Sequence, residues 1–148
     1  MDHSRKENAI PENEKVRVFL DANVLFSASD LRSRTAETLR TLIQQNHEVV
    51  TNSYAWGEVW RNVSTKCPHW LSSLERFRDV VEIIDASVNP VDVECVEKDI
   101  PILAGAIGAQ CTHLWTGDKA HFGKFYGKKT HGVTVVSSIL LAELLANG

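Results

Sequence analysis

The chain has 148 residues, of which 43% are hydrophobic and 24% are charged, and its formal net charge at pH 7 is −3. This length allows one globular domain with a proper core and excludes two domains of ordinary size. With so small a net negative charge, the chain as a whole does not attract nucleic acid electrostatically. Any basic surface that binds nucleic acid has to be local.

The three cysteines, Cys67, Cys95 and Cys111, are odd in number and have no Cys-X-X-Cys spacing. This pattern predicts neither a disulfide framework nor a zinc cluster, and it is typical of a reducing cytosol. No signal-peptide pattern opens the sequence, and no apolar run approaches the roughly 18 residues that a membrane helix needs. We therefore expect a cytoplasmic protein that does not associate with a membrane.

The first 15 residues are polar, of mixed charge and without helical or strand periodicity, which predicts a mobile N-terminal leader over 1–15. The domain is predicted to cover 16–148. It begins with a near-continuous apolar run, Val16–Leu20, which favours a strand buried on both faces of a parallel sheet. Asp21 follows at the carboxyl end of this strand, the edge at which open α/β sheets bind ligands. A single Asp at a strand end is also a common turn or cap residue, so its neighbours in space decide its role.

Strands and helices are predicted to alternate along the rest of the chain. In order, we expect a loop over Ser27–Ser33, a helix over Arg34–Gln45, a strand over His47–Thr51, a helix from Tyr54 to Val63 capped by Asn52 or Ser53, a helix from Pro68 through Phe77, a strand over Val80–Ile84, a short helix over Pro90–Glu97, a helix over Asp99–Ala109, a strand over Thr112–Thr116, a strand over Val133–Val136 and a last helix after Ser137 or Ser138.

Five strands that alternate with helices predict a three-layer α/β/α sandwich with a mainly parallel five-stranded sheet, because right-handed crossovers place helices on both faces. The stretch Ala104–Ala109 is rich in alanine and glycine. We expect its helix to lie very close to the sheet or to another helix.

Four carboxylates are predicted to converge on the carboxyl edge of this sheet. Asp21 and Asp118 each end a strand, Glu58 lies in the helix after the second strand, and Asp99 lies at the start of a helix. Four acids without basic partners repel one another and cannot all stay ionised at neutral pH unless a divalent cation lies between them. Oxygen ligands select Mg²⁺ or Mn²⁺ over zinc. Such an ion supports phosphodiester hydrolysis.

The motifs around these acids resemble the PIN-domain nucleases. The resemblance covers roughly residues 16 to 145 and rests on four segments: Phe-Leu-Asp21-Ala-Asn23-Val-Leu, the Trp-Gly-Glu58-Val helix, Asp99-Ile-Pro-Ile-Leu-Ala, and Thr116-Gly-Asp118-Lys-Ala-His-Phe.

The resemblance implies an endoribonuclease dependent on Mg²⁺ or Mn²⁺, in which Asp21, Glu58, Asp99 and Asp118 are the catalytic and metal-binding acids. It also implies that Asn23 and Thr116 support this cluster, although both residue types also occur as ordinary strand-end residues. Many small single-domain members resemble toxins of toxin–antitoxin pairs. We therefore expect a toxin role, with a protein antitoxin as partner, more than a role in RNA processing.

A local basic strip follows Asp118. From Lys119 to Gly132 the chain has cations and aromatic rings but no acid, a composition that suits single-stranded RNA, although charged loops are commonly only solvated. The residues that we expect to contact RNA are Lys119, His121, Lys124, Lys128 and Lys129, interleaved with Phe122, Phe125 and Tyr126.

A homodimer is expected, because Ala104–Ala109 and the tryptophan-rich helices offer more apolar surface than a monomer of this size needs to expose. The tryptophans Trp56, Trp60 and Trp70 also suit packing within the chain. Two alternative functions stay open. One is a haloacid-dehalogenase-like phosphatase, which needs a second Asp where this chain has Asn23, and the other is an α/β module that binds nucleic acid or protein without cleaving it.

Overall fold

Six strands form one sheet in the computed structural model, which describes residues 9–11, 13–86 and 100–146. In chain order they are β1 (Arg17–Leu20), β2 (Glu48–Asn52), β3 (Glu82–Ile84), β4 (His113–Trp115), β5 (Lys129–Thr130) and β6 (Val133–Val136). The order across the sheet is β3-β2-β1-β4-β6-β5, with parallel pairing throughout except between β5 and β6. Because β1 lies between β2 and β4, Asp21 leaves the sheet in the middle of its carboxyl edge.

Helices connect these strands and cover the sheet in a three-layer α/β/α sandwich. They are α1 (Ala22–Ala28), α2 (Arg34–Gln44), α3 (Ser53–Lys66), α4 (Leu71–Arg76), α5 (Ile100–Gly108), α6 (Lys119–Phe122) and α7 (Ser138–Ala146), with 3₁₀ turns at Pro68–Trp70, Phe77–Asp79 and Gly123–Phe125. No helix within the described ranges is long and apolar enough to cross a membrane.

The predicted fold class is confirmed, with two differences. The sheet has a sixth strand, β5, which is only two residues long and pairs antiparallel at the edge, so it leaves no periodic pattern in the sequence. Helix α1 begins directly after Asp21, where no helix was predicted, and it extends two residues into the predicted loop. The predicted helix over Pro90–Glu97 lies outside the described residues.

The central strand is buried on both faces, as predicted. Val18, Phe19 and Leu20 are 0% exposed and belong to a single core cluster. This burial fixes the position of β1, because a slip by one residue would put Asp21 inside the core.

Helix α5 approaches the sheet closely because of Gly105. A Cβ atom at this position would lie 2.6 Å from Nδ2 of Asn52 and 3.2 Å from the Phe19 ring. The Asn52 side chain accepts a hydrogen bond from the Ala55 N–H at the start of α3, and it donates one to the Pro101 carbonyl oxygen. Asn52 therefore ties α3 to α5, and the small residues of α5 serve packing within the chain.

The segment before β1 contacts the domain at Ile10. This side chain is 5% exposed, and its backbone N–H donates to the Leu144 carbonyl oxygen over 3.1 Å. The expected domain limit at Val16 stays a prediction, but Ile10 packs as part of the hydrophobic core.

Candidate active site

A pocket of about 250 Å³ opens at the carboxyl edge of the sheet. Three of the four predicted acids, Asp21, Glu58 and Asp118, line it. Asp99 lies outside the described residues, so its place in the site stays a prediction. The remaining lining residues are Ala22, Asn23, Phe26, Tyr54, Asn62, Lys66 and Ile102.

Asp21 is the most buried of these acids. Its side chain caps α1, with Oδ1 accepting from the Ala22 N–H over 2.7 Å. Burial raises the pKa of Asp21 from its ordinary 3.8 to about 6, the hydrogen bonds from Thr116 and Ala22 oppose that rise, and the charges of Glu58 and Asp118 add to it. The ionised form of Asp21 is therefore held at a cost in free energy, which a cation in the pocket would relieve.

Thr116 and Asn23 link the loops that carry the acids. The Thr116 hydroxyl donates to Asp21 Oδ2 over 2.7 Å and accepts from the Asp118 N–H over 3.1 Å. Oδ1 of Asn23 accepts from the Gly117 N–H over 2.8 Å. These bonds hold the start of α1 against the loop after β4, so both residues have the geometry that a supporting role requires.

Asp118 lies at the start of the short helix α6 and is paired with His121. Its Oδ1 accepts from the His121 N–H over 3.2 Å, and its Oδ2 lies 2.7 Å from His121 Nδ1. His121 thus orients the Asp118 carboxylate. This contact was not foreseen, although the spacing of three residues along a helix start is a signal that could have found it.

Helix α3 supplies four polar lining residues at intervals of four. Tyr54, Glu58, Asn62 and Lys66 face the pocket, whereas the other side of α3 buries Ala55, Val59 and Val63. Sequence reasoning identified only Glu58 among the four. The spacing itself was the missed signal, since residues four apart lie along one side of a helix.

Among the described lining residues, Lys66 is the one cation. Its Nζ lies 6.0 Å from the centroid of the Phe26 ring.

None of the lysines of the predicted basic strip lines this pocket. The four lysines of the strip are exposed, but Lys129 lines a separate cavity at the amino ends of the strands, beside His113.

The aromatic part of the strip prediction is wrong for Phe122. This ring is 0% exposed and belongs to the core, so it cannot stack on a nucleic-acid base. Tyr126 is half-buried, and its hydroxyl donates to the Thr116 carbonyl oxygen over 2.9 Å. These aromatic residues anchor the segment after Asp118 to the fold.

The oxygen donors of the pocket suit Mg²⁺ or Mn²⁺, which prefer carboxylate and amide oxygens. Within the described ranges, no group of three or more Asp, Glu, His or Cys side chains is close enough to hold an ion. Mg²⁺ commonly keeps several waters and takes only one or two carboxylates, with substrate phosphate completing its shell. Asp21 shares the pocket with Glu58 and Asp118, whose charges raise its pKa, so these acids are the candidates for that smaller set.

The tryptophans pack within the chain. Trp56 is 8% exposed and lies 6.4 Å from Trp60, and the Trp70 ring lies edge-on to Phe26 at 5.4 Å. Together with the packing of α5, these contacts account within the chain for the apolar residues on which the homodimer expectation was based.

No protein-family model and no curated protein matches this sequence. Several solved structures resemble its fold, among them the following two. A chain of VapBC2 from Rickettsia felis, crystallised with a DNA fragment from the promoter, is 18% identical with a TM-score of 0.58, over 81% of this chain and 97% of that one. VapC20 of Mycobacterium tuberculosis, a toxin that cleaves the sarcin–ricin loop, is 15% identical with a TM-score of 0.50, over 70% of this chain and 92% of that one. The chain described here therefore has a PIN-domain fold, which it shares with these two structures.

Proposed function

We propose that this chain is an endoribonuclease that depends on Mg²⁺ or Mn²⁺ and hydrolyses RNA phosphodiester bonds. The observation that supports it is the pocket at the carboxyl edge of the sheet, which Asp21, Glu58 and Asp118 line together. Asp99 is proposed as the fourth acid.

The roles of the residues follow from their surroundings. When bound, a divalent ion would stabilise the charge of the phosphoryl displacement and lower the pKa of an attacking water. Asp21 and Asp118 are the proposed ligands, and Glu58 faces them from α3. Thr116 orients Asp21 through its hydroxyl, while Asn23 keeps the loop of Asp118 in place.

The proposed biological role is that of a toxin held in check by a protein antitoxin. Its support is the fold, since one similar structure is a toxin and the other contains VapBC2 bound to promoter DNA. A small neighbouring gene for a DNA-binding protein with a tail would favour this role. A chain that shows no toxicity when expressed alone, and whose neighbouring products do not inhibit its RNA cleavage, would contradict it.

Cleavage of labelled RNA tests the enzymatic proposal. We expect cleavage with Mg²⁺ or Mn²⁺, none with EDTA, and loss of cleavage in Asp21→Asn and Asp118→Asn. Asp79→Asn is the matched control, because Asp79 is exposed and lies outside the pocket. Full activity of Asp118→Asn, or cleavage that persists in EDTA, would contradict the metal mechanism.

A metal titration separates this proposal from a module that only binds nucleic acid or protein. We expect the wild-type chain to bind Mn²⁺ and Asp21→Asn to bind it more weakly, as measured by calorimetry. Equal binding by the two chains would remove Asp21 from the metal site.

A further inference from the structure

We propose that Lys66, Tyr54 and Asn62, on the α3 side of the pocket, form a subsite that holds one nucleotide of single-stranded RNA beside the acids. This inference rests on the proposed nuclease function and assigns the residues that position its substrate.

The first argument is placement. Tyr54, Asn62 and Lys66 lie on the side of α3 that carries Glu58, with Glu58 on the turn between Tyr54 and Asn62, and all of them line the pocket. A substrate that reaches Glu58 therefore passes along these three side chains. The adjacent side of α3 is anchored in the core by Ala55, Val59 and Val63, which are 0% exposed, so the helix holds the subsite in a fixed position.

The second argument is charge. A phosphodiester is an anion, and the pocket presents three acids to it but only one cation among the described lining residues, Lys66. No carboxylate in the part of the chain that the structure describes forms an ion pair with Lys66. Its ammonium group is exposed and can bind a phosphate oxygen as a point charge.

The third argument is size and shape. The pocket volume of about 250 Å³ lies below the roughly 300–1,000 Å³ of sites that enclose whole drug-sized ligands, so it suits one unit of a longer chain. Tyr54 is 42% exposed and offers a ring on which an unstacked base can lie, while the Asn62 amide can both donate to and accept from a base edge. Such unstacked bases are a property of single strands.

Lys66 also has a structural role that the test has to separate from substrate binding. It lies in the last turn of α3, where a cation interacts favourably with the helix dipole, and near the Phe26 ring. Loss of that role would lower thermal stability without altering how RNA binding depends on salt.

The test compares Lys66→Gln with wild type in steady-state cleavage of a single-stranded RNA. We expect KM to rise about tenfold with kcat within about twofold, because a charged hydrogen bond made equally in the ground and transition states is lost. Lys66→Arg should keep KM close to the wild-type value, because arginine keeps the positive charge. Lys15→Gln is the control, since Lys15 is exposed, lies outside the pocket and donates a hydrogen bond to the Gln45 carbonyl oxygen.

A second measurement does not depend on cleavage. RNA affinity is measured by fluorescence anisotropy against salt for Asp21→Asn with and without Lys66→Gln. Loss of one phosphate contact on a single strand should reduce the slope of log K against log salt by about 0.7. In the same background Tyr54→Ala should weaken binding about tenfold, and Tyr54→Phe should leave it nearly unchanged, because the ring stacks and the hydroxyl does not.

The outcomes separate this inference from the function on which it rests. If Asp21→Asn abolishes cleavage but Lys66→Gln alters neither KM nor the salt slope, the subsite is wrong and the nuclease stands. If wild type binds RNA without cleaving it and the slope still depends on Lys66, the subsite stands and the nuclease is wrong. If only Lys124, Lys128 and Lys129 control the slope when replaced together by Gln, RNA binds along the basic strip, and the subsite is again wrong.

Discussion

Asp21→Asn is expected to stabilise the metal-free fold at neutral pH and to destabilise it in acid. The cause is the cost of keeping Asp21 ionised where it is buried. Its pKa is about 6 in the fold and 3.8 when unperturbed, so the ionised form costs about 3 kcal/mol of stability at pH values well above 6.

The sign of the effect follows from proton binding. The folded chain binds the Asp21 proton more tightly than the unfolded chain does, so this cost is absent below about pH 3.8 and is complete once the pH has risen through about 6. Asn removes the charge and with it the whole pH-dependent cost.

The substitution also has a cost of its own that does not vary with pH. The two carboxylate oxygens of Asp21 accept from the Thr116 hydroxyl and from the Ala22 N–H. An amide has only one carbonyl oxygen, so one of these two bonds is lost, at about 1 kcal/mol. The net expectation is a gain of about 2 kcal/mol at pH 7.5 and a loss of about 1 kcal/mol near pH 3.

Thermal melts in EDTA measure this difference. For a domain of this size each kcal/mol corresponds to roughly 2–4 °C, so the Tm of Asp21→Asn should lie about 4–8 °C above wild type at pH 7.5 and about 2–4 °C below it near pH 3. Asp79→Asn controls for the loss of an exposed negative charge. A Tm difference that keeps the same sign and size at both pH values would refute the link between stability and the burial of Asp21.

Other predictions concern the fold. Gly105→Ala should destabilise by about 1–3 kcal/mol in urea unfolding, because its Cβ would overlap Asn52, whereas Gly108→Ala, with open space around it, should be neutral or stabilising. Burial lowers the pKa of His113 to about 4, so the contribution of His113 to stability should fall by about 3 kcal/mol between pH 6.5 and 4, while that of Asp21 rises, and the difference in stability between His113→Gln and wild type should shift by the His113 amount. Light scattering at micromolar concentration tests the homodimer that the sequence analysis expects, and a monomer mass would contradict it.

Much of the fold could be predicted because its strands and helices carry their own local signals. The apolar run of β1, the cap at Asn52 and the small residues of α5 each predict a local structure from nearby residues, and each predicted structure is present in the fold. Asp21 and Asp118 could be placed on one edge for the same reason, since parallel strands bring their carboxyl ends together.

Elements without a periodic pattern depended on tertiary contacts. Strand β5 exists because two residues after a turn reach β6, and Ile10 is buried because its backbone and side chain meet α7 and the core. Both segments are too short to show a periodic pattern of hydrophobic residues, so the sequence alone did not predict them. Phe122 likewise has the sequence context of an exposed aromatic residue in a basic loop, but it is the last residue of α6 and is buried in the core.

What the sequence by itself determined is the order of strands and helices, and therefore the edge to which the acids belong. What only the tertiary structure decided is which side chains share the pocket. Tyr54, Asn62 and Lys66 lie far from Asp21 along the chain and carry no motif, and they meet it because β1 and β2 pair in parallel and α3 begins where β2 ends. Periodicity reports which side of a helix is buried, whereas the partners of its polar side depend on how the elements pack.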